Sequence, residues 1–254
     1  MKKFLVASVV MAAAVLLGAS SARADIWASD TFTYTDGELS TVSSGTWTIF
    51  SGTAGALHVL NNAATITGTG TLDESISLSG THSSDAVFAG FDADVISWSQ
   101  ASSGSSGYFA LFKDASTFNF FARTYVTNVT GGVKFGITTG ATQPPIWSST
   151  VSLGTTHRVV IEFDQTGASL GVDATASLYL DGTLQGTSAA VINSNYNISA
   201  FGLRQSNSGT EGNLTVDNLV IGDGLAAVPE PSTMALLGFG LVSMLALRRR
   251  VSRK

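Results

Sequence analysis

The 254-residue chain contains no cysteine. Disulfide bonds, thiolate metal ligands and thiol nucleophiles are therefore excluded, and an exported form of the chain would depend on its core alone for stability. Histidine is scarce, and His58, His82 and His157 form no H-x-H or H-x-x-x-H pair, so a zinc site is not expected. A G-x-S-x-G motif is also lacking, which argues against the serine nucleophile of an α/β-hydrolase.

Basic residues are rare between the two ends of the chain. Residues 25–228 hold 17 acidic and five basic side chains, which gives a formal charge of −12, whereas the other eight basic residues lie in the terminal segments. A strongly acidic body repels nucleic acid, so no nucleic-acid partner is expected. By its net charge it would also repel an acidic polysaccharide unless calcium bridged the two.

The N-terminal segment has the three parts of a secretory signal. Lys2 and Lys3 form a positive region, Phe4 to Leu17 is apolar, and Ala22 and Ala24 supply the small residues of an A-x-A cleavage site. The pattern predicts a signal peptide over residues 1–24, cut by signal peptidase before Asp25. The alternative is a permanent N-terminal anchor, against which the small-residue site argues.

The C-terminal segment, residues 228–254, also has three parts in a fixed order. Pro229, Glu230 and Pro231 come first, an apolar run follows, and Arg248, Arg249 and Arg250 begin a basic tail. The fifteen residues 233–247 would rise about 22 Å as a helix, less than the roughly 20 residues of a comfortable span. We therefore expect a single, transient helix in the inner membrane, with the arginines on the cytoplasmic side.

This order of motif, apolar run and arginines resembles the PEP-CTERM family of bacterial sorting signals. The resemblance implies processing by an exosortase, a membrane-embedded cysteine transpeptidase-like enzyme, near Pro229–Pro231. It also implies a Gram-negative host that makes extracellular polysaccharide. The alternative is an ordinary tail anchor.

The exported body, residues 25–227, alternates apolar and polar residues with the period of a β-strand. The pattern is clear over Val87–Val95 and His157–Asp164, and Asp181-Gly182 between two apolar runs is a strong hairpin signal. We predict an all-β fold, an antiparallel β-sandwich. Further strands are predicted at Thr31–Tyr34, Trp47–Phe50, Leu72–Leu78, Tyr108–Phe112, Phe118–Tyr125, Val133–Thr138, Ser177–Leu180, Thr183–Gly186, Ile198–Arg204 and Leu214–Ile221.

Several segments resemble the concanavalin A-like, LamG-type jelly rolls of exported bacterial proteins. They are residues 30–37 with Trp47, residues 158–164 with 177–182, and residues 198–204 with 216–222. The resemblance implies a jelly roll whose first and last strands lie near each other.

Catalytic residues of the glycosidase type are not evident. The jelly-roll enzymes of this kind carry an E-x-D-x-x-E run, and here Glu162 and Asp164 begin it but Gly167 stands where the last acid belongs. Since glycoside hydrolysis needs two carboxyl groups, a non-catalytic protein is expected. A polysaccharide-degrading enzyme with an unrecognised acid pair is the alternative.

One strand carries a candidate ligand face. Phe88, Asp92, Asp94 and Trp98 are spaced to share one side of it, where rings could stack on sugars and acids accept hydroxyl hydrogen bonds. Asp92 and Asp94 are also weak calcium candidates, although calcium needs six or more oxygens. Asp217-Asn218 resembles a recurring pair of the family, and stabilisation of a turn is the alternative role for it. Ordinary packing or solvation of a sheet face is the alternative for each.

Together these patterns predict an exported protein of the cell surface or extracellular matrix. We expect a structural or carbohydrate-associated role within a polysaccharide or biofilm matrix, with extracellular polysaccharide as its partner. No cofactor is expected, and a bound calcium ion is the alternative.

Overall fold

The computed structural model describes residues 24–53, 55, 57–67, 70–99, 107–116, 119–140, 143–167, 173–188, 196–205 and 212–224. Four predictions lie outside these ranges: residues 1–23 of the signal peptide, which include Ala22, the motif Pro229–Pro231, the sorting helix, and the basic tail from Arg248. Within the ranges, no helix has the length and apolar character needed to cross a membrane.

The described chain is almost entirely β-structure, which confirms the predicted fold class. One short helix, α1, covers Leu39–Val42. The strands are β1 Ile26–Asp30, β2 Gly37–Glu38, β3 Trp47–Ser51, β4 His58–Leu60, β5 Ala63–Thr67, β6 Asp73–His82, β7 Ala86–Trp98, β8 Tyr108–Lys113, β9 Phe120–Val129, β10 Gly132–Thr138, β11 Ile146–Trp147, β12 Thr156–Asp164, β13 Thr175–Leu180, β14 Thr183–Thr187, β15 Ile198–Leu203 and β16 Gly212–Gly222.

The strands form two antiparallel sheets. The nine-stranded sheet runs β14-β13-β12-β7-β16-β5-β4-β2, with β1 also paired to β16. The seven-stranded sheet runs β11-β10-β9-β8-β15-β6-β3. In the first sheet Ile26 pairs with Gly222 and Asp30 with Leu219, so the expected proximity of the first and last strands is confirmed.

The two sheets bury a single large core between them because each strand alternates its side chains across the sheet. In β7 the odd residues from Val87 to Val95 are all buried, as the alternation predicts. The Phe91 ring lies 5.9 Å from the rings of both Phe109 and Phe201, which come from the facing sheet. Aromatic packing of this kind couples the sheets without any covalent link.

The prediction of a strand at Thr31–Tyr34 is wrong. The Asp30 carboxylate accepts hydrogen bonds from Phe32 N at 2.7 Å, Tyr34 Oη at 2.8 Å and Trp47 Nε1 at 2.7 Å. These bonds close a tight turn with Phe32 at φ +48°, and the Phe32 ring is inserted into the core. The aspartate offers the backbone a local partner in place of a ladder, so the first strand ends before this segment.

The Asp181-Gly182 hairpin prediction is confirmed. The two residues adopt φ +47° and +80°, and β13 and β14 pair on either side of them. Five short strands, β1, β2, β4, β5 and β11, and helix α1 were not predicted. These elements are too short or too rich in small residues to show a period, and only their sheet neighbours fix their conformation.

Candidate functional site

The two sheets present chemically different outer faces. We call the outer face of the nine-stranded sheet the acidic face, because strand alternation in β7, β12 and β16 places five carboxylates and one base, Arg158, on it. The acids of these three strands are Asp92, Asp94, Glu162, Asp164 and Asp217. We call the outer face of the seven-stranded sheet the aromatic face, after the cluster formed by Phe50, Tyr108, Phe120, Tyr125 and Trp147.

On the acidic face, Asp92 is held by a cation and an amide. Arg158 Nη1 lies 3.2 Å from Asp92 Oδ1 and donates to the Asn218 carbonyl at 2.8 Å. Asn218 Nδ2 donates to Asp92 Oδ2 at 2.8 Å. Asn218 adopts φ +49° at a bulge of β16, and this bulge turns its amide over Asp92. The structure thus joins Asp92 to the Asp217-Asn218 pair.

The Arg158 backbone is fixed by the hairpin turn. Asp181 Oδ1 accepts from Arg158 N at 2.9 Å, and Asp181 Oδ2 lies 2.8 Å from His157 Nδ1. The arginine side chain is 7% exposed. Nearby, burial raises the pKa of Asp217, with smaller contributions from Asp92 and Asp30. The network therefore resembles a stabilising element more than an open receptor.

The predicted ligand face is only partly assembled. Phe88 does lie on the same side as Asp92, but it is buried in a small apolar cluster with Val160. Trp98 does not share this face, because the pairing of β7 with β16 shifts by one residue between Val95 and Ser97. The shift turns the indole into the core between the sheets, where it is 6% exposed. Such a bulge reverses the alternation on which the prediction depended.

The calcium candidates do not converge with a third ligand. Among the described residues, no group of three or more histidine or acidic side chains is placed to hold a metal ion. Asp92 already has the Arg158 guanidinium as its countercharge, and one Asp94 oxygen is buried without a hydrogen-bond partner.

Glu162 and Asp164 of β12, which begin the incomplete E-x-D-x-x-E pattern, make local contacts. Tyr179 Oη donates to Glu162 Oε2 at 3.0 Å, and burial, with the nearby Glu162 charge, raises the pKa of Tyr179 to about 12. Asp164 Oδ1 accepts from the Thr166 backbone and hydroxyl at 2.9 and 2.8 Å, which closes a turn.

The aromatic face carries five rings in contact. Tyr108 lies 5.6 Å from Tyr125 and 6.3 Å from Phe120, Phe50 lies 5.7 Å from Phe120, and Tyr125 lies 6.4 Å from Trp147. Tyr108 and Tyr125 form a buried layer, whereas the other three rings are partly exposed.

Trp147 is positioned by a glycine on the neighbouring strand. Gly136 pairs with Trp147, and a Cβ at Gly136 would lie 2.6 Å from two carbons of the indole ring. The ring therefore packs directly on the β10 backbone, which only glycine permits at this distance.

Basic side chains surround these rings. The Arg204 and Arg123 guanidinium carbons lie 4.2 and 4.9 Å from the centre of the Tyr108 ring. Lys113 Nζ lies 5.4 Å from the centre of the Phe50 ring. Lys134 lies two residues from Gly136 on β10, so its side chain projects from the same face. Cation–π contacts of this kind are attractive and orient the guanidinium groups.

The aromatic face was not predicted from the sequence. Its aromatic residues lie on four strands, and two irregularities between β8 and β9 interrupt the alternation of β8, so that Phe109 and Phe112, three residues apart, both point into the core. The partial signal was the presence of Tyr108, Phe120 and Tyr125 in consecutive predicted strands.

Two adjacent acids of β6 lie on opposite sides of the seven-stranded sheet. Asp73 accepts from Arg204 Nε at 3.3 Å and from Gln205 N at 3.1 Å, and burial raises its pKa to about 6 despite the arginine. Glu74 is fully buried towards the core, and burial raises its pKa to about 7. The backbone of Leu57 and the backbone and hydroxyl of Ser40 only partly offset this effect.

Comparison with known families identifies the C-terminal segment. Residues 227–250 match the PEP-CTERM protein-sorting motif, so the predicted sorting signal is confirmed. The motif implies export, transient membrane anchoring and processing by an exosortase. Comparison with curated proteins gives no match.

Solved structures with a similar chain path include carbohydrate-recognition domains. The Emp47p carbohydrate recognition domain has 10% identity and a TM-score of 0.47, over 82% of this chain and 100% of that one. The carbohydrate-binding module CBM66 from Bacillus subtilis has 14% identity and a TM-score of 0.42, over 70% and 95%. A sialidase has 10% identity and a TM-score of 0.46, over 76% of this chain but only 18% of its own. At these identities the similarity concerns the fold and assigns no ligand.

Proposed function

We propose that this protein is a non-catalytic, glycan-binding component of the cell surface or extracellular matrix, delivered there by exosortase processing. In this proposal the jelly-roll domain binds a polysaccharide of the surrounding matrix or biofilm through its aromatic face. Signal peptidase and exosortase act on its two ends.

The observation that carries this proposal is the row of partly exposed rings on the aromatic face. Phe50, Phe120 and Trp147 stand on strands of one rigid sheet, above the buried layer of Tyr108 and Tyr125. Rings held in this way offer a large contact area with little loss of conformational entropy on binding. The C–H groups of a sugar ring pack well against such surfaces, and the surrounding polar side chains can accept or donate hydroxyl hydrogen bonds.

The non-catalytic part of the proposal is supported by how the acids are used. Glycoside hydrolysis needs two carboxyl groups that face each other across the sugar. Asp73 and Glu74 project to opposite sides of β6, and Glu162 and Asp164 are engaged with Tyr179 and a turn. The alternative remains a polysaccharide-degrading enzyme that uses a different acid pair.

Glycan binding is tested by affinity electrophoresis of the mature protein in gels that contain individual polysaccharides, including the one made by the host. We expect retardation in at least one gel, weakened roughly tenfold by Trp147→Ala, because loss of a stacked ring costs about 1–2 kcal/mol. The matched control is Tyr179→Ala, which removes a partly exposed ring from the acidic face and should leave retardation unchanged.

Two results would count against the proposal. Equal weakening by Trp147→Ala and Tyr179→Ala would remove the aromatic face as the site. Release of reducing ends or unsaturated sugars from a retarding polysaccharide would favour the enzymatic alternative.

Processing is tested by intact-mass analysis of the exported protein. The species should begin at Asp25 and lack residues 248–254. A mature extracellular chain that keeps Arg248–Arg250 would contradict exosortase processing.

A further inference from the structure

We infer that the aromatic face binds an acidic glycan, one whose sugars carry carboxylate groups, and that Arg123 and Lys134 bind those carboxylates. This inference rests on the proposed glycan-binding function and adds the chemical class of the ligand.

Basic and acidic side chains are segregated between the two outer faces. Four of the five basic residues between positions 25 and 228 belong to the aromatic face. They are Lys113, Arg123, Lys134 and Arg204. Among the described strand residues of this face, the one acid is Asp73, which is buried beneath Arg204. A body with a formal charge of −12 therefore has one face whose local charge is positive.

Two of these cations have no countercharge among the described residues. Within the described ranges, neither Arg123 nor Lys134 has a carboxylate within 4.0 Å, although acids outnumber bases by more than three to one in the body. Arg204 pairs with Asp73, and Lys113 is buried and donates to the Asp114 carbonyl at 2.8 Å. Arg123 and Lys134 are both partly exposed, so their charges are accessible to a ligand.

Arg123, Trp147 and Lys134 lie in a fixed order across the seven-stranded sheet. Arg123 pairs with Thr138 and Tyr125 with Gly136, while Lys134 lies two residues further along β10. Trp147 packs on Gly136, so it stands between the two cations. Thr138, which pairs with Arg123, and Lys134 are four residue steps apart on β10, or about 13 Å along the strand. An extended chain that reaches both cations therefore passes over the indole, where one of its sugars can stack.

The guanidinium group of Arg123 is also oriented in advance. It lies 4.9 Å from the Tyr108 ring centre and 5.6 Å from that of Phe120, and its Nε donates to the Phe120 carbonyl at 3.4 Å. In the described part of the chain the other N–H groups of Arg123 make no hydrogen bond, so they can form the bidentate contact that arginine makes with a carboxylate. Binding therefore loses less side-chain entropy than it would with an unrestrained arginine.

The net charge of the body does not oppose this arrangement. Electrostatic forces between exposed charges are screened over about 8 Å at physiological ionic strength. The acids of the other outer face are separated from the aromatic face by two sheets, which pack about 10 Å apart. The expectation that the protein would repel an acidic polysaccharide unless calcium bridged them was drawn from net charge alone, and it neglects this separation.

The inference is tested by titrating the mature protein with polygalacturonate and with the same polymer after methyl esterification, which removes the charge and keeps the sugars. We expect polygalacturonate to bind at least tenfold more tightly in calorimetry at low salt, and its affinity to fall as sodium chloride is raised. Arg123→Gln and Lys134→Gln should each weaken it at least fivefold. Arg123→Lys should weaken it less than Arg123→Gln, because lysine keeps the charge but loses the bidentate contact.

The control is Asp164→Asn on the acidic face, which changes the net charge by one unit in the opposite sense. It should leave binding unaltered, whereas an effect of net charge alone would strengthen the binding of the acidic polymer. Equal affinity for the charged and esterified polymers would overturn the inference while leaving glycan binding intact. Duplex DNA bound as tightly as polygalacturonate would also overturn it, because the face would then be a general polyanion site. If affinity electrophoresis finds no glycan of either kind, the proposed function itself fails.

Discussion

The outer faces of the two sheets use their charges in different ways. On the acidic face, the single base Arg158 is 7% exposed and joins Asp92, Asn218 and, through its backbone, Asp181 into one network. On the aromatic face, Arg123 and Lys134 are partly exposed, and no carboxylate lies within ion-pair distance of them in the described part of the chain.

This difference separates residues that stabilise the fold from residues that are free to bind. A buried cation surrounded by its partners is costly to remove, because the groups left behind lose their compensation. An exposed cation without partners contributes little to stability, and its removal matters only if a ligand uses it. The same residue type, arginine, therefore has opposite significance at Arg158 and at Arg123.

The largest effect is expected on the acidic face. Arg158→Gln should lower the free energy of unfolding by about 2–4 kcal/mol, because Asp92 loses its countercharge and the Asn218 carbonyl loses a donor. Urea unfolding followed by tryptophan fluorescence measures this change. Arg123→Gln should lower the same quantity by less than about 1 kcal/mol.

A larger loss of unfolding free energy from Arg123→Gln than from Arg158→Gln would contradict the contrast between the two faces. A double variant, Arg158→Gln with Asp92→Asn, refines the test. It should recover part of the lost stability, because the uncompensated carboxylate is then absent.

A smaller effect is expected at Glu74, which faces the core and belongs to neither outer face. The carboxyl has a pKa of about 7 in the folded protein and an ordinary value of 4.5. Between these values the folded state holds a proton that the unfolded chain has released, so the Glu74 contribution to stability is present at low pH and lost as pH rises to about 7. Glu74→Gln should therefore raise the free energy of unfolding at pH 8 by about 1–3 kcal/mol and leave it nearly unchanged at pH 4.5.

Urea titrations at the two pH values measure this difference. Asp73→Asn is the comparison, because burial also raises the pKa of Asp73, to about 6, but its replacement leaves Arg204, at 3.3 Å, without a countercharge. Any gain from Asp73→Asn at pH 8 should therefore be smaller than the gain from Glu74→Gln. A gain from Glu74→Gln that is the same at both pH values would show that packing, and not ionisation, is responsible.

The smallest effect is expected from divalent ions. Because Arg158 already neutralises Asp92, we expect no specific calcium binding at this carboxylate. Calcium, magnesium and sodium at matched ionic strength should therefore shift the melting temperature equally, within about 1 °C. A ligand specific to the folded state would stabilise it by mass action. A calcium-specific shift that is lost in Asp92→Asn would show that the acidic face is also a binding site.

The sequence predicts the strands that have a long, regular alternation. Val87–Val95 and His157–Asp164 became β7 and β12, in the middle of the nine-stranded sheet, because a buried strand must place one face in the core along its whole length. The Asp181-Gly182 turn was also predictable, since few residues tolerate positive φ at both positions. The segment Thr31–Tyr34 has the same alternation, but the Asp30 side chain bends it into a turn.

The candidate sites were much less predictable. The predicted face Phe88, Asp92, Asp94 and Trp98 assumed an unbroken strand, and the one-residue shift near Ile96 removed Trp98 from it. Nothing local to the sequence marks that shift, because it is set by the pairing of β7 with a strand more than 110 residues later. Similarly, the ion pair of Asp92 with Arg158 depends on the neighbouring positions of β7 and β12 in the sheet.

By itself the sequence determined the sorting signal and the fold class. Sorting enzymes and membranes act on contiguous segments, so the C-terminal motif that matches over residues 227–250 can be recognised without knowledge of the fold. An all-β sandwich follows from a period of two, which is also local.

Only the tertiary structure decided which charges are paired and which are free. Pairing depends on registers between strands that are distant in the chain and on bulges that reverse the side to which a residue points. For that reason the five basic residues of the body look alike in the sequence, whereas in the fold Arg158 is enclosed by its partners and Arg123 and Lys134 remain beside exposed rings.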